Sequence, residues 1–418
     1  MKISVCKINL YQVLLFFLLS ININFFYLLS NGNFFGIPIV DFIFIFNIFI
    51  FIWQLFRDNF YLKRNDGFLF IGIVLVLFLI SAISASASYN QSFLAGIISQ
   101  RQWISWMLLM YPILRWLESS RISVKEIKDV IVTFSNIYVL ICILQFFLFN
   151  QIQFTSVVTS VRYGSVRLYF NTTILILASS IVMDSLFNNK NKRIFIVNIL
   201  ELLSYFFVIF VVTKGRMQTI SFLLALTICV LLRRKISFFK KVSFILLLFI
   251  ALLLFFNTPM GQEILNLVVG KSIENDTLSI RDSARQYYWK LVTSSWKNLL
   301  FGLGTPNINN SYALGILNPI WSQSVTARYY LEDVGVMAIL IRYGLLGIIS
   351  WISVLIYNIV LSFKIYGKTG ELFFLQFLLV DIFACWTLIP TMFNNSIAFP
   401  LVICLISYNN RLLSSNNE

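Results

Sequence analysis

The sequence predicts an all-α polytopic integral membrane protein, with about twelve transmembrane helices and one large outer loop. Three observations predict it. Hydrophobic residues make up 59% of the 418 and charged ones only 12%, against about 25% charged in a soluble domain, so half of the usual solvated surface is missing. The 43 Phe are spread along the chain rather than gathered in one core. Apolar runs of about 20 residues, the length that crosses hydrocarbon, recur from end to end with short basic clusters between them.

The runs, in order, are 8–30, 35–56, 67–88, 98–117, 129–150, 169–187, 194–213, 217–232, 242–256, 334–362, 371–393 and 396–410. The first follows Lys2 and Lys7 as a signal peptide would, but Ile8 to Leu29 is longer than a signal core and no A-x-A follows it, so it is expected to be a transmembrane helix. Arg101 interrupts the fourth run. The chain divides into helices over 1–256, a loop over 257–333, and three further helices over 334–418.

Connecting charges orient these helices. With the N-terminus in the cytoplasm, the inward segments carry Arg57, Lys63 and Arg64; Arg115, Arg121, Lys125 and Lys128; Lys190, Lys192 and Arg193; Arg233 to Lys235, Lys240 and Lys241; Lys364 and Lys368; and Arg411. Every inward segment is basic, which predicts both termini cytoplasmic. The long loop is neutral overall: Lys271, Arg281, Arg285, Lys290, Lys297 and Arg328 offset Glu263, Glu274, Asp276, Asp282, Glu332 and Asp333.

That loop is no inert linker. It holds Tyr287, Tyr288, Trp289, Trp296, Tyr312 and Trp321, and the turn signal Phe301-Gly302-Leu303-Gly304-Thr305-Pro306. Residues 281–300 read as an amphipathic helix that lies on the membrane or caps the helices. Trp289, Tyr288 and Tyr312 are candidates to stack on sugar rings; an aromatic belt at headgroup level is the alternative.

Composition also excludes chemistries. There is no histidine, which removes the commonest general base and metal ligand. No Asp-x-Asp occurs, so neither a metal nor any other cofactor is expected. The five cysteines form no CxxC pair and read as helix-packing residues. The net charge of +15 sits in cytoplasmic clusters, so the bilayer rather than nucleic acid is the expected partner.

Six basic residues do not fit the inward clusters. Arg101, Arg162, Arg167, Lys214, Arg216 and Arg342 fall at the outer ends of helices, and the short outer segments carrying the first five contain no acid. Charge at membrane depth costs roughly 2.5–3.5 kcal/mol per residue. A bound anion would supply the counter-charge, and the planar guanidinium fork suits a lipid-linked diphosphate. Snorkelling to headgroups, or pairing with Glu332 and Asp333, is the alternative. Asp41, Glu201 and Asp381 fall inside predicted helices and receive no role.

Three motifs then carry a resemblance. Thr213-Lys214-Gly215-Arg216 lies between two apolar helices. Arg285-x3-Trp289 precedes Leu300-Phe301-Gly302-Leu303-Gly304. Glu332-Asp333 enters a helix containing Arg342-Tyr343-Gly344-Leu345-Leu346-Gly347. In order and spacing around one outer loop, these resemble the Wzy-type O-antigen polymerases, within the superfamily that also includes the O-antigen ligases. The motifs cover about residues 200–350, and the topology covers the whole chain. The ligase branch typically uses a histidine in its large loop, and this sequence has none, which favours polymerase.

The resemblance implies a metal-independent glycosyltransferase of the GT-C class in the bacterial inner membrane, with the loop in the periplasm. Its donor and acceptor would be glycans on undecaprenyl diphosphate, and a chain-length regulator and a flippase would be its protein partners. Diphosphate would be held by Arg216 and Arg285, with Arg101, Arg162, Arg167, Arg281 and Arg342 behind them. The acceptor hydroxyl needs a base: Asp333 or Glu332 is favoured over Asp282, Glu274 and Asp276, with a helix N-cap role as the alternative. A repeat-unit flippase and a solute transporter remain rivals, although no internal repeat or paired helix break favours either.

Overall fold

The computed structural model describes residues 9–29, 33–34, 36–60, 66–162, 165–188, 191–234, 236–239, 241–244, 246, 253, 257, 262, 275–319, 328–394 and 396–415. The chain is mostly helical. The helices are α1 (Leu10–Asn22), α2 (Asn24–Tyr27), α3 (Ile39–Arg57), α4 (Asp66–Tyr89), α5 (Phe93–Ser99), α6 (Arg101–Leu108), α7 (Met110–Glu118), α8 (Val124–Leu148), α9 (Thr173–Asn188), α10 (Lys192–Phe207), α11 (Arg216–Leu232), α12 (Asn275–Val292), α13 (Trp296–Phe301), α14 (Ser311–Leu317), α15 (Val336–Thr369), α16 (Phe373–Ala384) and α17 (Ala398–Ser415). Among the described residues, five spans are long and apolar enough to cross a membrane: α3, Leu69–Tyr89 of α4, α8, α10 with its following π turn to Val212, and α15. Shorter apolar helices are α1, α9, Met217–Leu232 of α11, and α16.

The apolar runs locate helices, but several are shorter or more broken than their hydrophobicity suggests. The first run stops at Asn22, and Asn24 to Tyr27 take left-handed backbone. The fourth divides into α5, α6 and α7, turning at Gln100 and Leu109. The run at 371–393 is helical only to Ala384; a turn and the short 3-10 segment Thr391–Phe393 follow. The run at 242–256 lies largely outside the described residues. Residues 159–168, between the runs 129–150 and 169–187, form the hairpin β3 (Thr159–Arg162) with β4 (Ser165–Leu168), after a smaller one of β1 (Asn33–Phe34) and β2 (Ile37–Pro38).

Helix faces show which solvent they meet. In α3, Ile39, Ile43, Asn47, Ile50 and Gln54 are buried, at helical spacing. Ile45, Phe49, Ile52 and Phe56 lie on the opposite face and are exposed. The outward stripe of α4 is likewise Leu69, Ile73, Val76 and Ile83. A helix in water puts polar residues there. Apolar exteriors of this extent call for hydrocarbon around them.

Hydrogen bonds and ion pairs define two ends of the bundle. At one end Arg115 meets Asp58 and Glu118, Arg411 meets Glu118, Lys128 meets Glu371, and Arg233 meets Asp184. This is the end where the described chain starts and finishes, since Asn9 donates to the Arg121 carbonyl and Lys368 to that of Leu413. The other end carries the hairpins, the start of α6, the Thr213–Arg216 junction and the described part of the long loop.

That loop is fastened to the helices. Ala284, Tyr288 and Val292 form the buried stripe of α12 and share a core with Tyr89 of α4 and with Ala338 and Ile341 of α15. The amphipathic segment therefore caps the helices, and Ser295 caps α13 after the break by accepting from the Asn298 amide. The turn after α13 docks into a kink in α15. Gly344 has φ 65° and ψ −163°, which interrupts the helical ladder; the Ile341 carbonyl instead accepts from the Leu303 amide at 2.7 Å. Gly302 and Gly344 meet there with positive φ on both sides, and a Cβ at Gly344 would lie 2.3 Å from the Leu300 oxygen. Only glycine permits that approach.

Candidate functional site

Helix α12 lies across the start of α15, and the re-entry Leu331–Asp333 is a single 3-10 turn between them. This brings together Arg281, Arg285, Arg342, Glu332 and Asp333. The Arg342 side chain is 8% exposed and its Nη2 pairs with Glu332 Oε1 at 2.7 Å. Its guanidinium stands 5.2 Å from the Trp103 ring centroid, and its Nε, itself buried, has no hydrogen-bond partner among the described residues. Arg281 stands 3.8 Å from Asp333, beyond hydrogen-bond reach. Arg285 is bound on two sides: Nη1 donates to Asp282 at 2.6 Å and Nη2 to the Trp386 carbonyl at 3.0 Å. Its guanidinium also lies 4.7 Å from the Trp386 ring centroid.

The two carboxylates are not equivalent. Glu332 is engaged by Arg342 at 2.7 Å, whereas the ion pair of Asp333 with Arg281 is longer, at 3.8 Å. Both side chains are open to solvent, at 63% and 50%. Asp333 keeps lone pairs available to accept a proton. Glu332 holds the buried guanidinium in place, and so part of the pairing considered as an alternative role for these residues does occur.

A second basic group surrounds the Thr213–Arg216 junction. The α10 helix widens into a π turn at Val208–Val212, and Lys214 has φ 49° and is 5% exposed. Arg167 of β4 donates from Nε to the Thr213 carbonyl at 2.7 Å and covers the Tyr169 ring at 4.2 Å. Arg162 ends β3 and Arg216 opens α11, but both side chains lie outside the described residues. Helix α11 packs antiparallel on α16, because Arg233 and the Leu372 amide share Asp184 at the far end. Arg216 therefore starts its helix at the end where Trp386 lies.

Arg101 is set apart from these groups. Its counter-charge comes from Asp41, 2.5 Å away, in the first turn of α3. The outer segments do lack acids, but this acid arrives from within a helix, so Arg101 has a structural partner.

The aromatic candidates separate. Trp289 is 52% and Tyr312 62% exposed. Tyr288 is fully buried, with its hydroxyl donating to the Leu317 carbonyl. Burial pushes its phenol up and the nearby Glu332 adds to the rise. It is a packing residue, not a surface for a sugar. Tyr312 borders an open cleft of about 710 Å³ lined by Ser88, Tyr89, Asn90, Gln91, Asn307 and Asn310 among others. The lining holds no charged side chain. Tyr89 joins cleft to cations, since it lines the cleft and lies within electrostatic reach of Arg342.

Trp103 and Trp386, which flank the cations, stood inside predicted helices, and nothing in their spacing marked them. Of the weaker base candidates, Asp282 holds Arg285; Glu274 and the Asp276 side chain lie outside the described residues. Among the described residues, no group of three or more Cys, Asp or Glu is placed to hold a metal ion. No family model matches the chain, and no curated protein matches its sequence.

Proposed function

We propose that this chain is a membrane-embedded glycosyltransferase that polymerises undecaprenyl-diphosphate-linked repeat units into O-antigen or a related surface polysaccharide. In this reading the bundle spans the bacterial inner membrane about twelve times, with both termini cytoplasmic and residues 257–333 in the periplasm. The observation that carries it is the convergence of Arg281, Arg285 and Arg342 with Asp333 at the mouth of the bundle. Cations beside a solvent-open carboxylate are what transfer from a lipid diphosphate requires.

The bond from the donor sugar C1 to the diphosphate oxygen breaks, and the acceptor hydroxyl oxygen bonds to C1. The hydroxyl proton passes to Asp333, and the charge left on the lipid diphosphate is met by Arg281 and Arg285, with Arg342 behind them on Glu332. Arg216 and Arg167 stand at the same end for the second lipid diphosphate, which the acceptor still carries. The uncharged cleft beside Tyr312 suits sugar, because amides and hydroxyls bond ring hydroxyls and an open aromatic face stacks on the ring.

The test is a glycan gel from cells that depend on this protein. With Arg285→Ala or Arg342→Ala, the ladder is expected to collapse to a single surface repeat unit. Normal ladders from both variants would refute the assignment. Loss of all surface repeat would favour a flippase, and unchanged glycan on deletion of the protein a transporter.

A further inference from the structure

A second, smaller pocket lies at the end of the bundle where the described chain starts and finishes. It encloses about 160 Å³ between the ends of α9, α11 and α15, and Phe187, Asn188, Arg233, Arg234, Tyr366 and Lys368 are among its lining residues. Its charged lining is wholly basic; among the described residues no Asp or Glu borders it.

Hydrogen bonds hold this frame. The Tyr366 hydroxyl donates to the Leu232 carbonyl at 2.9 Å and accepts from the Arg234 amide at 2.8 Å, which ties α15 to the end of α11. Arg233 binds Asp184, whose other oxygen accepts from the Leu372 and Phe373 amides. The Arg233 guanidinium also covers the Phe187 ring at 4.5 Å. Lys368 donates to the Leu413 carbonyl. At Gly367 an added Cβ would meet nothing within 4 Å, so the backbone leaves that side clear.

The three cations are not equivalent. Positive side chains are common where helices end, because the carbonyl ends carry partial negative charge, and Arg233 and Lys368 are anchored to protein oxygens. Arg234 is exposed, its backbone is fixed by Tyr366, and its guanidinium has no partner among the described residues. The segment that follows folds back toward α9 and α11: Lys241 donates to the Leu231 carbonyl at 2.6 Å, and the Phe244 ring stands 6.1 Å from that of Phe187. This segment leaves Phe238 and Phe239 exposed, at 73% and 82%. Bare rings of that size suit hydrocarbon rather than water. Basic pockets between membrane helices take anionic headgroups, and the guanidinium fork matches phosphate oxygens.

We propose that this pocket binds the phosphate group of an anionic lipid, with Arg234 as its donor, Lys368 as a second positive charge, and the acyl chains lying along Phe238 and Phe239. The site does not rest on the polymerase reading.

Native mass spectrometry of the purified chain in detergent tests this. The chain is titrated separately with phosphatidylglycerol and with phosphatidylcholine, and inorganic phosphate is then added as competitor. Phosphatidylglycerol should be retained in preference to phosphatidylcholine and should resist inorganic phosphate. Arg234→Gln should weaken that retention about tenfold, as loss of one charge-assisted contact implies. Arg57→Gln removes a cation from α3 at the same end but outside the pocket, and should leave retention unchanged. Equal losses in the two variants would reduce the effect to diffuse attraction and overturn the site. Equal retention of both lipids would overturn it as well, and displacement by inorganic phosphate at equal concentration would overturn the lipid as its source. The comparison of lipids on wild type needs no variant, so a misfolded mutant leaves the result readable.

Discussion

At the end of the bundle where the chain starts and finishes, Arg115 reaches Asp58 through bonds of 2.8 and 3.2 Å and Glu118 through one of 2.7 Å. Tyr111 and Gln54 fill the remaining positions on Asp58, and Arg411 closes the chain on Glu118. At the loop end, Arg281 stands off from Asp333, the buried Arg342 Nε has no partner among the described residues, and both carboxylates of the re-entry turn face solvent. Similar residues are saturated in one place and left partly unspent in the other. A closed network stabilises the fold, whereas one with spare donors and lone pairs is able to take a ligand.

Separating those roles gives three tests. The largest effect is expected within the open end. On the polymerase reading proposed above, Asp333→Asn should lower polymer formation by roughly 10²–10⁴-fold, the usual loss on removing a general base. Glu332→Gln should cost less, because it frees Arg342 without removing the base. Equal losses in a gel-based rate assay would erase the distinction between the two acids.

Breaking the closed end should act on stability instead. Arg115→Ala leaves Asp58 and Glu118 without their shared cation, and both carboxylates are mostly buried. About 3–5 kcal/mol of stability should be lost, seen as a lower melting temperature in detergent. Molecules that remain folded should still make chains of normal length, and a shortened ladder per folded molecule would contradict the structural role.

The smallest effect is an acid sensitivity. Burial works against the charge on Asp58, but hydrogen bonds from Arg115, Tyr111 and Gln54 outweigh it and hold the carboxyl below its ordinary 3.8. The stability this gives is fully present above that value and is lost as pH falls through the lower folded one. Wild type should therefore lose melting temperature in that acid window, and Asp58→Asn should lose less. Parallel curves would show that Asp58 does not supply the sensitivity.

Much of the fold was legible in sequence because hydrocarbon imposes a simple rule. The run 129–150 has to form a helix to satisfy its backbone, and the helix found is Val124–Leu148. The rule weakens where chain meets protein instead of lipid. The run 371–393 read as one helix, yet Asp381 and the Val336 amide offer its backbone other partners, and α16 stops at Ala384. The β3–β4 hairpin was missed because it is short, polar and without an Asn-Gly turn signal.

The sequence by itself determined the helical architecture, the two-sided distribution of charge and the loop residues with chemistry to offer, because composition and period act locally. Only tertiary structure decided which cations are spent. Asp41 reaches Arg101 from another helix, the Gly302–Gly344 contact brings the loop down onto α15, and packing turns Tyr288 inward while leaving Tyr312 outside. Those outcomes depend on approaches between segments far apart in the chain, and no local pattern records them.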